Sequence, residues 1–405
     1  MTNTIALELK NRQRELQGVW IARPFTDQAF NGTIDQNLFD MFERHAPQLE
    51  RLQLVGFHQP GQFPGGLRFL IGLKDRLKTL IFHPSHRSLT RHLIKWAPAL
   101  QKANPNLPIR FSKIDFLSFK RIDDEFFGTF RQLDQFLDIS KLRTLKLCHV
   151  YSISQTLGRL QNASVQLTTF EISGVVTTDA LKGFLESFSG LKDLRIDVRC
   201  DEEDFSNQID LYRHRMTLSV LFVRIRDTRA KSQAGVWFAD LLGKGIRFPA
   251  LVELGLAGSF EYFGDLRTYG RAMPKLKLLW VAGNPSLWQN GRLDSIFLHS
   301  SLRPLFRSCT AVGRPWKYVA IGRCTTGGIY SGWPKIFQMC EWYSAVGELK
   351  TNLDYTPHKD FFDDNPDLRL LQTSSQWLPW EEECPFTKSE DKDMFDTRFG
   401  YNFMS

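Results

Sequence analysis

Three histidines that lie close together in the sequence, at positions 83, 86 and 92, have the most obvious potential for chemistry. Histidine nitrogens are common zinc ligands, so a group of three could hold a metal ion. Two of them, however, flank a Pro-Ser turn, and His92 falls in a predicted helix. The six cysteines are scattered and form no C-x-x-C pair. Ordinary surface histidines explain this pattern better, so we predict no metal site and no cofactor.

Two glycine-rich stretches resemble catalytic motifs only in part. Gly243-Lys244-Gly245 lacks the further glycine and the Ser or Thr of a phosphate-binding P-loop. The stretch 328–332, GIYSG, does not fit the G-x-S-x-G motif of serine hydrolases. The 44 acidic residues offer no acid and base pair that spacing alone would select. We therefore predict that the chain is not an enzyme. The alternative is an unrecognised active site in the C-terminal region.

A basic cluster could bind phosphate groups. Six basic residues lie within nineteen positions: Arg213, Arg215, Arg224, Arg226, Arg229 and Lys231. Arg224 and Arg226 alternate on a predicted strand and would share one face, and clustering of this kind is what nucleic-acid binding requires. Nucleic-acid or other polyanion binding through Arg213, Arg215, Arg224 and Arg226 is therefore an alternative function. No recognised nucleic-acid-binding module accompanies the cluster, and a run of charges is usually a solvated face.

The net charge of +8 is distributed unevenly. From residue 352 onward there are twelve acidic and five basic residues, so this tail carries −7 and the preceding 351 residues carry +15. A basic body with an acidic tail indicates either an acidic partner or a tail that screens its own body.

A repeated apolar pattern organises the chain. The spacing apolar-x-x-apolar-x-apolar begins at Leu142, Leu167 and Leu191, in steps of 25 and 24 residues. Seven further copies begin at Leu16, Leu49, Leu77, Phe111, Leu218, Leu251 and Leu276. The mean step is roughly 29 residues, which is near the upper end of the range for leucine-rich repeats. Each copy predicts one strand, and neighbouring strands must stack to bury their apolar faces.

The segments between the strands have helical periodicity. Helices are predicted over residues 38–45, 88–97, 124–138, 177–190 and 232–243. Gly190 is expected to cap the fourth of them. Short strands that alternate with helices predict the α/β class, in the form of a leucine-rich-repeat solenoid, or horseshoe, of about ten irregular repeats.

Three regions are predicted along the chain. Residues 1–284 form the solenoid, and residues 285–350 form a C-terminal cap that covers its exposed end. Within the cap, 313–333 is predicted as short strands and turns, and Pro334–Val346 as a helix. Residues 351–405 are predicted to be an acidic, mobile tail.

The residue between the last two apolar positions of each repeat points away from the core, because side chains alternate along a strand. On the horseshoe this column lines the concave face. It comprises Trp20, Gln53, Ile81, Asp115, Lys146, Glu171, Arg195, Phe222, Gly255 and Trp280. Charged and aromatic residues anchor many protein interfaces. The predicted partner-binding residues are Asp115, Lys146, Glu171, Arg195, Phe222 and Trp280. Alternatively, the charged residues are solvated and the C-terminal segment covers the aromatic ones.

The strand motifs PQLERLQL, SKLRTLKL, GLKDLRID, PALVELGL and PKLKLLWV, with variable helical spacers between them, carry a family resemblance. Over about residues 10–285 the chain resembles the divergent leucine-rich-repeat region of fungal F-box/LRR proteins. The resemblance implies protein–protein interaction, with the repeats recognising the substrate of a cullin–RING ubiquitin ligase. A linker protein of that ligase would be a second partner. No F-box is visible in this chain.

The sequence also bears on location. The first residues, MTNTIALELKNRQRELQ, lack the apolar core of a signal peptide, and no apolar run approaches the length that crosses a bilayer. We expect a cytoplasmic or nuclear protein that binds no membrane.

Overall fold

The computed structural model describes residues 18–22, 49–55, 73–83, 111–120, 137–148, 153–199, 209–225, 234–257, 266–282, 288–289, 292–293, 317–321, 335–343, 349–356, 358–368 and 370. The chain divides into two compact units, Met1–Leu191 and Lys192–Ser405, which we call unit 1 and unit 2. Each unit combines parallel strands with helices, which confirms the predicted α/β class.

In the described part of unit 1, six strands lie side by side in chain order, each parallel to the next. They are β1 (Gly18–Ala22), β2 (Arg51–Val55), β3 (Thr79–His83), β4 (Phe116–Lys120), β5 (Thr144–Cys148) and β6 (Thr169–Val175). Helix α1 (Ile153–Gln161) connects β5 to β6, and helix α2 (Thr178–Glu186) follows β6.

The core of unit 1 lies between one face of these strands and the helices. Alternate strand residues are buried on that face, as the period of two requires: Leu117, Phe119, Leu145, Leu147, Phe170 and Ile172. Helix α1 buries positions 153, 156, 157 and 160, which form one stripe at helical spacing. The Phe184 ring of α2 lies 4.9 Å from the Phe170 ring of β6, so helix and strand pack directly.

Unit 2 continues the alternation with strands β7 (Asp193–Arg199), β8 (Val220–Ile225), β9 (Glu253–Ala257) and β10 (Leu278–Ala282), parallel and in chain order. Helices α3 (Ala234–Gly243) and α4 (Leu266–Ala272) precede β9 and β10. A short hairpin follows, made of β11 (Trp288–Gln289) and β12 (Arg292–Leu293).

The C-terminal part of unit 2 changes the direction of the sheet. Strand β13 (Tyr318–Ile321) pairs in parallel with β10, and then β14 (Lys335–Tyr343) and β15 (Leu349–Thr356) add antiparallel strands. Helix α5 (His358–Asp364) follows β15.

The helix side of unit 2 is filled with aromatic rings. Phe238 of α3 lies 5.5 Å from Phe248 and 5.7 Å from Tyr269 of α4, measured between ring centroids. Trp237 donates a hydrogen bond from Nε1 to the carbonyl oxygen of Ile209 at 3.0 Å. Burial raises the pKa of the Tyr269 phenol well above its usual value, so this group stays neutral. These contacts join α3 to α4 and to the segments that carry Ile209 and Phe248.

A buried residue two places before each strand recurs in both units. In unit 1 these residues are Leu49, Leu77, Ile114, Leu142 and Leu167. In unit 2 they are Leu218, Leu251 and Leu276. All but Ile114 are the first apolar position of a predicted repeat, so the register of the predicted strands holds at these sites.

Several sequence predictions can be compared with these bounds. The helices predicted over 177–190 and 232–243 correspond to α2 and α3, although α2 ends with Ser187 as its C-cap. Gly190 instead adopts a φ of +95° three residues later, in the turn toward β7. The helices predicted over 38–45 and 88–97 lie outside the described residues. Of 124–138, only 137 and 138 are described, and Leu137 forms a β-bridge with Phe111.

The predicted helix over Pro334–Val346 is wrong, because this stretch forms strand β14. It pairs on one side with β13 and on the other with β15, and its β-branched and aromatic residues suit a strand. The predicted boundary between cap and tail, at residues 350 and 351, falls inside β15. The part of the predicted mobile tail that the structure describes is therefore folded.

Candidate functional site

Strand pairing places most of the predicted column in one register. In unit 1, Trp20, Gln53, Ile81, Ser118, Lys146 and Glu171 are directly adjacent on successive strands. In unit 2, Arg195, Phe222, Gly255 and Trp280 are adjacent in the same way. We call the sheet face that carries these residues the column face of each unit.

Asp115 does not belong to this column, which corrects the prediction. Pairing of β4 with β3 and β5 places Ser118 beside Ile81 and Lys146. The fourth repeat therefore consists of Ile114, Leu117 and Phe119, three residues later than predicted. Asp115 lies just before β4 and is exposed at the edge of the sheet, where its carbonyl oxygen accepts the N–H groups of residues 143 and 144.

Lys146 and Glu171 form an ion pair across β5 and β6. Lys146 Nζ lies 3.1 Å from Glu171 Oε2 and 5.8 Å from the centre of the Phe116 ring. Glu171 is only 1% exposed, and the Cys148 thiol lies 3.8 Å from its other oxygen. Since the Lys146 side chain is 23% exposed, only the lysine end of the pair reaches solvent. The pair neutralises its own charge at the surface.

Arg195 is buried, with an exposure of 6%, and its guanidinium donates two hydrogen bonds to the Asp193 carboxylate at 2.9 and 3.0 Å. This fork geometry is the strongest form of an arginine–carboxylate pair. Arg195 is therefore neither solvated nor available to a partner in this structure.

Phe222 and Trp280 stack with ring centroids 4.9 Å apart, and Trp280 is only 3% exposed. They pack in a cluster with Phe361, Leu368 and Leu370, which come from residues 358–370. We call residues 358–370 the covering segment. The structure thus shows the alternative interpretation, in which the C-terminal segment covers the aromatic residues of the column.

Gly255 makes this packing possible. A Cβ atom at this position would lie 2.6 Å from Phe222 Cδ2 and 3.0 Å from Leu370 Cδ2. Contacts that short do not occur between real side chains, so only glycine leaves room for the ring and the covering segment together.

Polar contacts also hold the covering segment. The Leu370 N–H donates to Glu253 Oε2 at 2.6 Å, and Glu253 is buried at the start of β9. Lys277 Nζ donates to Asp367 Oδ2 at 2.9 Å. This hydrogen bond from Lys277 lowers the pKa of the Asp367 carboxyl. The Phe361 ring meets the Tyr318 ring edge-on at 4.9 Å, so the segment is fixed at several points.

The described members of the predicted polyanion cluster do not form one patch. Arg224 on β8 binds the Asp197 carboxylate through both Nε, at 2.7 Å, and Nη2. Arg213 and Arg215 lie in the turn before β8, so the length of a six-residue strand, roughly 16 Å, separates them from the Arg224 end. Arg226, Arg229 and Lys231 lie outside the described residues.

Other predicted groups can be located only in part. His83 is in β3, while His86 and His92 lie outside the described residues. In the described part of the chain, no group of three His, Cys, Asp or Glu residues is arranged to hold a metal ion. None of the helices described here is long and apolar enough to cross a lipid bilayer.

Sequence reasoning offered cover by the C-terminal segment as an alternative, but it did not identify which residues of that segment form the contact. The apolar residues of the covering segment, Phe361, Leu368 and Leu370, stand among many acidic ones, and this contrast was the available signal. Comparison with known proteins adds no assignment, since no protein-family model matches the chain and no curated protein is significantly similar to it.

Proposed function

We propose that this chain is a leucine-rich-repeat solenoid that binds another protein through the column face of unit 1. The repeated register supports the solenoid. Strands recur in chain order within each unit, and a buried aliphatic residue stands two places before each of them where it is described.

The covering segment is the observation that carries the proposal. In unit 2 the column face binds a peptide segment of the same chain through apolar side chains and one backbone hydrogen bond to Glu253. A sheet face built on the same register can bind a segment of another protein in the same manner.

The column face of unit 1 offers suitable chemistry for such a partner. Its partly exposed side chains combine hydroxyl groups, aliphatic and aromatic surface, and one ammonium group. They are Thr79, Ile81, Phe116, Thr144, Lys146 and Thr169. Mixed surfaces of this kind allow apolar contact at the centre and hydrogen bonds at the rim.

The family resemblance refines the proposal. In that form, the partner is the substrate of a cullin–RING ubiquitin ligase, a linker protein joins the chain to the ligase, and the complex works in the cytoplasm or nucleus. The sequence patterns quoted above are its support.

Quantitative affinity purification of the full-length protein from its native cells tests this proposal. The variant Thr144→Arg/Thr169→Arg puts two bulky charges on the column face of unit 1, where both side chains are partly exposed. The matched control, Gln155→Arg/Gln161→Arg, adds the same charge at exposed positions of α1. We expect the wild type and the control to retain a common partner that the face variant loses.

A partner that all three proteins retain equally would overturn the assignment to this face. Recovery of a cullin with its linker protein would support the ligase form. A partner set that depends on the face but contains no cullin would leave a protein-binding module of another pathway.

A further inference from the structure

The turns that lead into β8, β9 and β10 lie at one edge of unit 2, because parallel strands all begin at the same edge. These turns carry four exposed basic residues, which we call the basic edge: Arg213, Lys244, Arg247 and Lys275. They come from three separate turns, and only Arg213 belongs to the basic cluster that the sequence analysis identified.

Backbone hydrogen bonds hold these turns side by side. Val252 N–H donates to the Ser219 carbonyl at 2.8 Å, and Lys277 N–H donates to the Val252 carbonyl at 2.8 Å. Farther from the strands, Phe248 N–H donates to the Ala272 carbonyl at 2.9 Å. Since neighbouring strands lie about 4.8 Å apart, three adjacent turns place their basic groups along a line of about 10 Å plus side-chain reach.

The charge of the basic edge is not balanced by ion pairs. Within the described part of the chain, no salt bridge joins any of its four members to a carboxylate. Arg224 and Lys277 differ, because Asp197 and Asp367 neutralise them. The exposed Asp210 nearby is engaged by the backbone N–H of Tyr212 at 2.8 Å.

An exposed aromatic ring accompanies the charge. Tyr212 is 54% exposed in the turn before β8, and the Arg215 guanidinium lies 3.4 Å from the centre of its ring. Arg213 is its immediate neighbour in the chain. Aromatic rings beside basic side chains are where unpaired bases stack, with arginine adding a cation–π contribution.

We infer that the basic edge of unit 2 binds single-stranded nucleic acid, with its phosphates along Arg213, Lys244, Arg247 and Lys275 and a base stacked on Tyr212. The ring favours this ligand over an acidic peptide, which needs charge alone, and over a duplex, whose bases are already stacked. The inference is independent of protein binding by unit 1.

Fluorescence anisotropy with a labelled oligothymidylate and the full-length protein tests the inference. Each phosphate contact to a single strand contributes a slope of about −0.7 to the dependence of log affinity on log salt, so four contacts predict about −3. Arg247→Glu/Lys275→Glu should weaken binding at least tenfold and reduce the slope by about 1.4. Arg51→Glu/Lys182→Glu makes the same charge change in unit 1 and should leave the affinity within about twofold.

The ring is tested separately. Tyr212→Ala should weaken binding about 5-fold to 150-fold, which is the stacking of one base converted to affinity, whereas Tyr212→Phe should bind like the wild type. All of the altered side chains are exposed or partly exposed. Thermal unfolding that matches the wild type confirms that each variant folds.

Three results would overturn the inference. One is no binding at low salt. Another is an equal loss of oligothymidylate affinity in the control variant Arg51→Glu/Lys182→Glu. The third is displacement by a polyglutamate peptide with no effect of Tyr212→Ala, which would assign the basic edge to an acidic peptide.

Discussion

The column faces of the two units are formed by equivalent positions of the repeat, but they have different surroundings. Two places before the column, unit 1 carries Thr79, Phe116, Thr144 and Thr169, all partly exposed. From β8 onward the equivalent residues in unit 2 are Val220, Glu253, Leu278 and Tyr318, all buried, whereas Asp193 of β7 is partly exposed. Unit 2 buries this row because the covering segment packs onto it.

The strand sequences follow this difference. In unit 2, VLFV, LLWV and YVAI are apolar at successive positions, as expected for parallel strands that are buried on both faces. In unit 1, TLKL alternates, which suits a strand with one solvated face. Composition on the column side therefore distinguishes a face covered by a segment of the same chain from a face that is partly exposed.

Removal of the largest covered side chain should have the largest effect. Trp280→Ala should lower the free energy of unfolding by about 3–5 kcal/mol, because it leaves a cavity under the covering segment. Ile81→Ala, at the same column position in unit 1, should cost about 1 kcal/mol, since that side chain is already partly in water. Urea unfolding followed by circular dichroism measures both. Equal losses would mean that the two faces are equally covered.

Core positions should not distinguish the units. Leu194→Ala in β7 and Leu145→Ala in β5 should each cost about 2–5 kcal/mol, because both side chains are buried on the helix side. The same urea titration applies. Tolerance of either change would contradict the strand register on which the column faces depend.

Gly255→Ala should separate the covering segment from the sheet at a cost of about 1–3 kcal/mol, because the added methyl group meets Phe222 and Leu370. Limited proteolysis should then cut within residues 358–370 sooner than in the wild type. Gly158→Ala in α1 is the control, since its Cβ would meet no atom within 4 Å. Alanine there should stabilise the helix by up to about 1 kcal/mol. Unchanged proteolysis of the Gly255 variant would show that this contact does not position the segment.

The ion pair that holds the covering segment should contribute least. Asp367→Asn should cost less than about 1 kcal/mol at neutral pH, because water screens an exposed pair. Lys277 lowers the pKa of Asp367 in the folded state. The stability that this pair contributes is therefore complete above the unfolded-state pKa of about 3.9 and is lost as the pH falls below that value. Wild type and variant should therefore converge in acid when urea midpoints are compared across pH. A constant difference down to pH 2 would rule out this pair as its source.

The sequence pattern predicted strands β1 to β10 because an aliphatic residue recurs two places before each of them. It failed at the fourth repeat, where Phe111-Ile114-Phe116 and Ile114-Leu117-Phe119 fit the spacing equally well. Only pairing with β3 and β5 selects the second register and places Ser118, not Asp115, in the column.

The repeat pattern could have predicted some contacts between residues distant in sequence but not others. Opposite charges at Lys146 and Glu171 stand at the same position of neighbouring repeats, so their pairing could have been predicted from the column itself. The contact of Leu370 with Glu253 could not have been predicted, because the two residues are 117 positions apart and no periodicity connects them. Strand β14 could not have been predicted either, because pairing with two neighbouring strands determines that this stretch is a strand and not a helix.

The position of the covering segment near the end of unit 2 has a consequence for synthesis. The ribosome makes β9 long before Leu370, and a sequence separation of 117 residues corresponds to roughly 6–23 seconds at ordinary elongation rates. Until then Phe222 and Trp280 expose an apolar surface to solvent. The nascent chain is therefore a transient client for chaperones, and a transcript truncated before residue 361 would remain one permanently.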